Sequence, residues 1–154
     1  MTSRDFFEQV REAAQDAERT RRTLEAMRAR EGVKAQRYGQ SVQGGIHDAM
    51  AATDARIDRE REWAARIERD YRLIDEACAI IYGPDNRGGI AALLGNATAD
   101  VMFWRYCAAV TWHEVSKAVS YSRPWCHHAV SVAFELIDAA GVEAVKAGRG
   151  IAED

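Results

Sequence analysis

The sequence has little proline, little cysteine and no long apolar run, and each scarcity excludes a class of protein. There are two prolines and three cysteines among 154 residues, and Cys78, Cys107 and Cys126 stand far apart in apolar stretches. An odd number at wide spacing argues against a disulfide framework and favours reduced thiols packed as small hydrophobic side chains. No segment approaches the roughly 20 apolar residues that a membrane span needs. We therefore expect no membrane association.

The composition is typical of a folded protein with one domain's worth of residues. Hydrophobic residues make up 47% of the chain and charged residues 29%, which is too apolar for a disordered protein. A length of 154 residues allows about one modest core. The N-terminus carries charge from Arg4 onward and lacks the apolar segment of a secretory signal, so we expect a cytoplasmic protein.

Charge of neither sign dominates, but the two halves of the chain differ. Residues 1–75 contain 15 Lys or Arg and 15 Asp or Glu, whereas residues 76–154 contain 6 and 9. The alternating signs of the first half, as in Arg56, Asp58, Arg59 and Glu60, are typical of a solvated helical face with ion pairs at helical spacing. Neither half is the basic stripe that many nucleic-acid-binding proteins carry.

Two segments repeat apolar or small residues in alternating steps of three and four, or in sevens, which is the period of a coiled-coil seam. The first seam consists of Phe6, Val10, Ala13, Ala17, Thr20, Leu24 and Met27. After a stretch that contains Gly32, Gly39, Gly44 and Gly45, the second consists of Ile57, Ala64, Ile67, Tyr71, Ile74, Cys78 and Ile81. These seams predict two long helices that pair as an antiparallel hairpin or between the chains of a homodimer. The second helix is predicted to end at Tyr82-Gly83-Pro84.

The C-terminal half predicts shorter helices, and the fold class is all-α. Ile90 to Leu94 reads as a helical turn, and a further helix is expected from Asn96 or Thr98 to about Ala109. The predicted organisation has four parts: a coiled-coil-like hairpin at 1–82, a linker with a short helical turn at 83–97, a helix-turn-helix unit at 98–147, and a polar tail at 148–154.

Two capping signals set the boundaries of the last helices. Thr111-Trp112-His113-Glu114 fits the capping box, so a short helix is expected to start at residue 112. Ser120-Tyr121-Ser122 interrupts that helix, and Ser122 followed by Pro124 is expected to cap a longer one that begins at Arg123 and ends near Ala140. A short helix, a three-residue turn and a longer helix form the layout of a helix-turn-helix motif.

The residues of this segment resemble region 4 of bacterial sigma factors, and more closely small phage-encoded regulators of the ArpU and RinA types. The resemblance is carried by Arg105-Tyr106, Thr111-Trp112-His113-Glu114-Val115, Ser120-Tyr121-Ser122 and Ala133-Phe134-Glu135-Leu136-Ile137. Small phage and prophage proteins with an N-terminal helical hairpin and this C-terminal motif share the plan of the whole chain. The resemblance implies a sequence-specific, double-stranded DNA-binding transcriptional regulator, in contact with host RNA polymerase, and it implies neither an enzyme nor a cofactor.

The resemblance also implies which residues meet DNA. These are Thr111, Lys117, Ser122, Arg123, Trp125, His127, His128 and Ser131. Cys126, Ala129 and Ala133 would face the core, together with Val115 and Phe134. Thr111 and Ser122 could donate to phosphates or serve only as caps, and Trp125 could touch a base or pack beneath the helix.

The expected recognition helix departs from the family pattern because it offers one arginine and two histidines where several cations are usual. Two other functions therefore stay open: a small terminase-type subunit for DNA packaging, and an adaptor that binds RNA polymerase without DNA. We expect no metal site. Consecutive helical residues such as Cys126, His127 and His128 point about 100° apart, and His113-Glu114 lacks the second histidine of a zinc motif.

Overall fold

The computed structural model describes residues 1–38 and 46–151. Over these residues the chain has seven α-helices, one π-helical segment and no strand, which confirms the all-α prediction. The α-helices are α1 (Ser3–Tyr38), α2 (Ile46–Tyr82), α3 (Gly89–Leu94), α4 (Asn96–Met102), α5 (Trp112–Val119), α6 (Arg123–Ala140) and α7 (Val142–Lys146), and the π-helical segment spans Phe103–Cys107. The predicted connection with Gly39, Gly44 and Gly45 lies outside the described residues.

The chain divides into two compact units, and both long helices contribute to each of them. One unit comprises residues 16–70, and the other comprises residues 1–15 and 71–154. Residues 71–82 thus group with the C-terminal helices, as do the first residues of α1. None of the described helices combines the length and hydrophobicity that crossing a bilayer requires.

The unit of residues 16–70 is an antiparallel helical hairpin. Arg66 of α2 pairs with Asp16 near the start of this stretch of α1, and Arg56 pairs with Glu31 at 3.0 Å further along it. Residue numbers that rise in α1 while they fall in α2 define the antiparallel direction. The buried side of α1 follows the predicted seam through Ala17, Thr20 and Leu24.

The buried side of α2 departs from its predicted seam. Ile57, Ala64 and Tyr71 were expected in the seam, but all three are exposed. The side of α2 that is at least half-buried consists of Arg56, Glu60, Trp63, Ile67, Asp70, Ile74, Ala77 and Ile81. The other four predicted residues, Ile67, Ile74, Cys78 and Ile81, are at least half-buried, so the prediction is confirmed for them. Where it is wrong, polar residues occupy inward positions and meet charged groups of α1, and a pattern of apolar residues alone does not reveal them.

The other unit is built around three aromatic rings from different elements. Phe7 of α1, Tyr106 of the π-helical segment and Phe134 of α6 are buried, with ring centroids 5.5–5.6 Å apart. Tilted and edge-on contacts at this distance suit the quadrupoles of the rings. The N-terminus of α1 is also fixed to α6, because the Ser3 backbone N–H donates to Asp138 Oδ1 at 2.9 Å.

The helix expected from Asn96 to about Ala109 changes type part-way along. It is α-helical to Met102 and then π-helical, and the Ala108 N–H donates to the Phe103 carbonyl, five residues back, at 2.9 Å. A π-helical turn accommodates one extra residue, which changes the direction of the side chains that follow. Tyr106 and Cys107 at the end of this segment are both buried.

The remaining helix boundaries agree with the sequence. α2 ends at Tyr82 because Gly83 adopts φ +87°, and α3 spans the predicted turn before Gly95. α5 begins at Trp112 and α6 at Arg123, as the caps predict. Gly141, at φ +91°, ends α6 and separates it from α7.

Candidate nucleic-acid interface

Helices α4, α5 and α6 pack against one another, and α5 and α6 are joined by three residues. Val115 of α5 and Cys126, Ala129 and Ala133 of α6 are buried, which confirms the predicted inner face of α6. Val130, which was not predicted to face the core, is buried as well. The exposed face of α6 therefore begins immediately after the turn.

Both helices start with a hydroxyl cap. Thr111 Oγ1 accepts a hydrogen bond from the Glu114 N–H at 3.3 Å, and Ser122 Oγ accepts one from the Trp125 N–H at 3.3 Å. Each cap uses an acceptor lone pair and leaves the hydroxyl proton as a donor. Capping and donation to a phosphate are thus compatible at Thr111 and Ser122, both of which are exposed.

The turn between the helices is held by backbone and side chain together. Ser120 adopts the left-handed conformation (φ 61°, ψ 37°) that ends α5. The Ser116 hydroxyl donates to the Tyr121 carbonyl at 2.5 Å. Beyond it, the Tyr121 ring stacks on Trp125, with centroids 4.0 Å apart and planes inclined by 18°. Trp125 is half-buried and Tyr121 is 45% exposed, so the stack has a solvent-facing edge.

A cluster around Trp112 links the start of α5 to the π-helical segment and to α6. The Arg105 guanidinium lies 4.5 Å from the centre of the Trp112 ring, and the His127 ring lies 4.0 Å from the same indole. A guanidinium over the face of tryptophan is an attractive cation–π contact. Trp112 is half-buried while His127 is exposed, so this histidine combines a packing contact with a position on the surface.

Arg123 at the first position of α6 contacts His113 of α5. Arg123 Nη2 and His113 Nδ1 are 2.7 Å apart. The guanidinium can only donate, so His113 Nδ1 accepts and its ring proton lies on Nε2. The hydrogen bond fixes one edge of the planar Arg123 guanidinium beside the N-terminus of α6.

The segment that leads into α5 is fixed by α1. Arg11 Nη1 donates to the carbonyls of Arg105 and Val110, at 2.9 and 3.1 Å, and Arg105 Nη1 donates to the Val110 carbonyl at 3.2 Å. Burial, followed by the neighbouring Arg105, lowers the pKa of the Arg11 guanidinium. This pair of arginines holds the residues immediately before Thr111.

The residues predicted to meet DNA fall into two groups by exposure. Thr111, Lys117, Ser122, Arg123, His127 and His128 are exposed, whereas Trp125 and Ser131 are half-buried. The Ser131 hydroxyl donates to the His127 carbonyl at 3.1 Å, within its own helix. Arg105, His113 and Tyr121 also border this surface. They belong to the segments that carry the resemblance, but the sequence did not predict a role for them here. Only the packing of the helices brings them into contact with Trp112, Arg123 and Trp125, respectively.

Charge on this surface is distributed unevenly along the chain. Residues 105–131 contain three cationic side chains, Arg105, Lys117 and Arg123, and one carboxylate, Glu114. The later part of α6 contains Glu135 and Asp138, both exposed. The positive charge therefore lies on the π-helical segment, α5 and the first half of α6, although the C-terminal half of the chain is acidic.

Among the residues that the structure describes, no three His, Cys, Asp or Glu side chains converge as a metal ion would require. No family model, curated protein or solved structure matches this chain. Its function is accordingly inferred from the residues and their geometry.

Proposed function

We propose that this chain is a sequence-specific DNA-binding regulator of phage or prophage transcription that places the first half of α6 in the major groove. The observation that carries the proposal is the arrangement of α5 and α6. Two capped helices are joined by three residues, and Arg123, His127 and His128 are exposed at the start of the second helix. In helix-turn-helix proteins the N-terminal residues of the second helix contact base edges.

The exposed side chains of α6 suit base contacts. Arg123 presents a planar fork that matches the O6 and N7 acceptors of guanine, and its bond to His113 restricts its orientation. His128 is exposed and, among the described residues, makes no hydrogen bond or ring contact, so its ring nitrogens are available to a base or phosphate. The exposed edge of the Tyr121–Trp125 stack suits apolar contact with a thymine methyl group or a sugar.

Phosphate contacts would come from the flanking groups. Lys117 supplies charge, and the Thr111 and Ser122 hydroxyls can donate beside the N-termini of α5 and α6. Because so few cations are involved, the affinity should depend on salt less steeply than that of a strongly basic repressor.

The proposed protein acts as a homodimer through its N-terminal helices. Met50, Ile57 and Ala64 of α2 are exposed at seven-residue intervals within the hairpin unit. An exposed heptad of apolar residues is the pattern with which helices from two chains associate. A symmetric dimer would present two copies of α6 to two half-sites.

One observation favours a second function, an adaptor that contacts RNA polymerase without DNA. Residues 104–131 expose the aromatic side chains of Trp104, at 39%, and Tyr121, at 45%, and contain only three Lys or Arg residues. Aromatic side chains with few charges are typical of protein interfaces.

The experiment is selection of duplexes from a random pool by the folded chain, followed by anisotropy binding of the enriched duplex at about 50 and 200 mM salt. We expect one enriched sequence and specific binding at both salt concentrations. Arg123→Ala and His128→Ala should each weaken it by about 1–3 kcal/mol, or about 5- to 150-fold.

Arg149→Ala is the matched control, because it removes one exposed positive charge at a position outside α5 and α6. It should leave the affinity nearly unchanged. Absence of any enriched duplex from folded protein would favour the adaptor. Light scattering of the same sample separates a dimer, as expected for the regulator, from a closed ring of many subunits, as expected for a packaging subunit.

A further inference from the structure

Two of the three cysteines contact each other in the unit formed by residues 1–15 and 71–154. Cys78 of α2 and Cys107 at the end of the π-helical segment are 29 residues apart in sequence, and their Sγ atoms are 3.8 Å apart. Cys126 is fully buried in α6. The sequence predicts three separate structural thiols, whereas the structure contains one pair and one isolated thiol.

The two sulfurs of the pair differ in accessibility and acidity. Cys78 is half-buried, whereas Cys107 is only 8% exposed. The neighbouring Cys107 thiol lowers the pKa of Cys78 to about 7, while Cys78 and burial together raise the pKa of Cys107. Cys78, the more exposed residue of the pair, is therefore the one on which the thiolate is favoured. An accessible thiolate beside a second thiol is the arrangement of a redox-sensitive cysteine and its resolving partner.

We propose that Cys78 and Cys107 form a redox modification site, at which a peroxide converts the two thiols into an intramolecular disulfide. In the first step the Cys78 thiolate attacks one peroxide oxygen. The S–O bond forms, the O–O bond breaks, and the leaving oxygen takes up a proton. Cys78 becomes a sulfenic acid, and the peroxide is reduced to water or an alcohol.

In the second step Cys107 Sγ attacks Cys78 Sγ. The S–S bond forms, the S–O bond breaks, and the departing hydroxide leaves as water with the proton of Cys107. Two thiols and one peroxide thus give one disulfide, one water and one further water or alcohol. The Sγ atoms must approach from 3.8 Å to about 2.0 Å. The new bond would join α2 covalently to the segment that ends three residues before Val110 and four before the Thr111 cap.

The test uses the full chain, reduced, freed of reductant and exposed to increasing concentrations of hydrogen peroxide. Peptide mapping under non-reducing conditions and counting of free thiols are the measurements. We expect a Cys78–Cys107 cross-link, a fall from three free thiols to one, and full reversal by dithiothreitol. Cys126→Ser, which removes the isolated thiol, should still form the cross-link.

Variants of each partner distinguish the two steps. In Cys107→Ser, Cys78 should stop at a sulfenic acid that a dimedone-type reagent traps. In Cys78→Ser, or Cys78→Ala if the serine variant does not fold, Cys107 should stay reduced over the same range. The proposal is overturned if the folded wild-type chain keeps three free thiols, if Cys126 takes part in the cross-link, or if Cys78 is oxidised to a sulfinic acid while Cys107 stays a thiol.

Discussion

Arg11 is the residue whose removal should most disturb the entry to α5. Its guanidinium donates to two carbonyls, those of Arg105 and Val110, in partly buried surroundings. Hydrogen bonds from a charged donor contribute about 1.5–3 kcal/mol. Without Arg11, the Val110 carbonyl would keep only the hydrogen bond from Arg105. We expect Arg11→Ala to lower the free energy of unfolding by about 2 kcal/mol, measured by urea denaturation.

Arg22→Ala is the control for Arg11, because it lies on the same helix and its partner is Glu18, four residues away on the surface. An exposed helical ion pair contributes about 0.3–0.5 kcal/mol. Equal losses in the two variants would show that the contacts of Arg11 contribute no more than a surface ion pair.

The contacts of single residues show which features can be predicted from the sequence and which cannot. Thr111 and Ser122 were predicted as caps because a cap contacts a backbone group three residues away, and such a spacing is visible in the sequence. The contacts of Arg11 with Val110 and of Cys78 with Cys107 join residues 99 and 29 positions apart. No local pattern encodes such pairs, since they follow from how whole helices pack.

The turn between the π-helical segment and α5 carries backbone strain that a substitution can relieve. Ala109 has φ +57°, in the left-handed region, where a Cβ costs about 1–2 kcal/mol. Glycine avoids this cost but loses about 0.5–1 kcal/mol through the entropy of the unfolded chain. We expect Ala109→Gly to raise the free energy of unfolding by about 0.5–1 kcal/mol in the same denaturation experiment.

The adjacent Ala108 provides the control for Ala109, because its φ of −87° is an ordinary right-handed conformation. Ala108→Gly should destabilise the chain by about 0.5–1 kcal/mol, so the two neighbouring variants should differ in sign. Destabilisation by both would contradict the left-handed backbone at residue 109.

At the level of helices, the sequence predicted the elements that carry their own boundary signals. α5 and α6 have caps, and α2 ends immediately before a glycine and a proline, so the predicted limits of these helices agree with the structure. The π-helical segment lacks such a signal, because Phe103–Cys107 contains neither glycine nor proline and its form serves to bury Tyr106 beside Phe7 and Phe134. The seam of α2 was predicted correctly at Ile67, Ile74 and Ile81 but wrongly at Ile57 and Tyr71, because Arg56 and Asp70 occupy the inward positions beside them.

At the scale of the whole molecule, the two units should respond differently to pH, because one of them contains a coupled pair of carboxyl groups. In the hairpin of residues 16–70, hydrogen bonding from Arg66 lowers the pKa of Asp16 to about 2. Burial and the neighbouring Asp16 raise the pKa of Asp70 to about 6. Asp70 Oδ2 is buried without a hydrogen-bond partner. A hydrogen bond between the two carboxyl groups also favours the protonated form of Asp70.

The signs of the two shifts are opposite. The pKa of Asp70 is higher in the folded than in the unfolded chain. Its contribution to the free energy of unfolding is therefore full below about pH 4 and is lost as the pH rises through about 6. The pKa of Asp16 is lower in the folded than in the unfolded chain. Its contribution to the free energy of unfolding is therefore lost only as the pH falls from about 4 towards 2. Of these two carboxyl groups only Asp70 titrates between pH 5 and pH 7, and the loss of its proton should make the hairpin less stable.

We expect raising the pH from about 5 to about 7 to destabilise the hairpin by about 1 kcal/mol. This is less than the whole pKa shift of Asp70 corresponds to, because Asp70 is only partly buried and solvent screens its charge. Hydrogen exchange resolved by peptide should locate the loss of protection in residues 16–32 and 49–70, after correction for the intrinsic exchange rate.

Asp70→Asn keeps a neutral donor beside Asp16, so this variant should be more stable than the wild-type chain at pH 7 and should lose the pH dependence. Asp58→Asn, an exposed carboxylate on the same helix, should keep it. If Asp70→Asn retains the wild-type pH dependence, the titrating group is not Asp70.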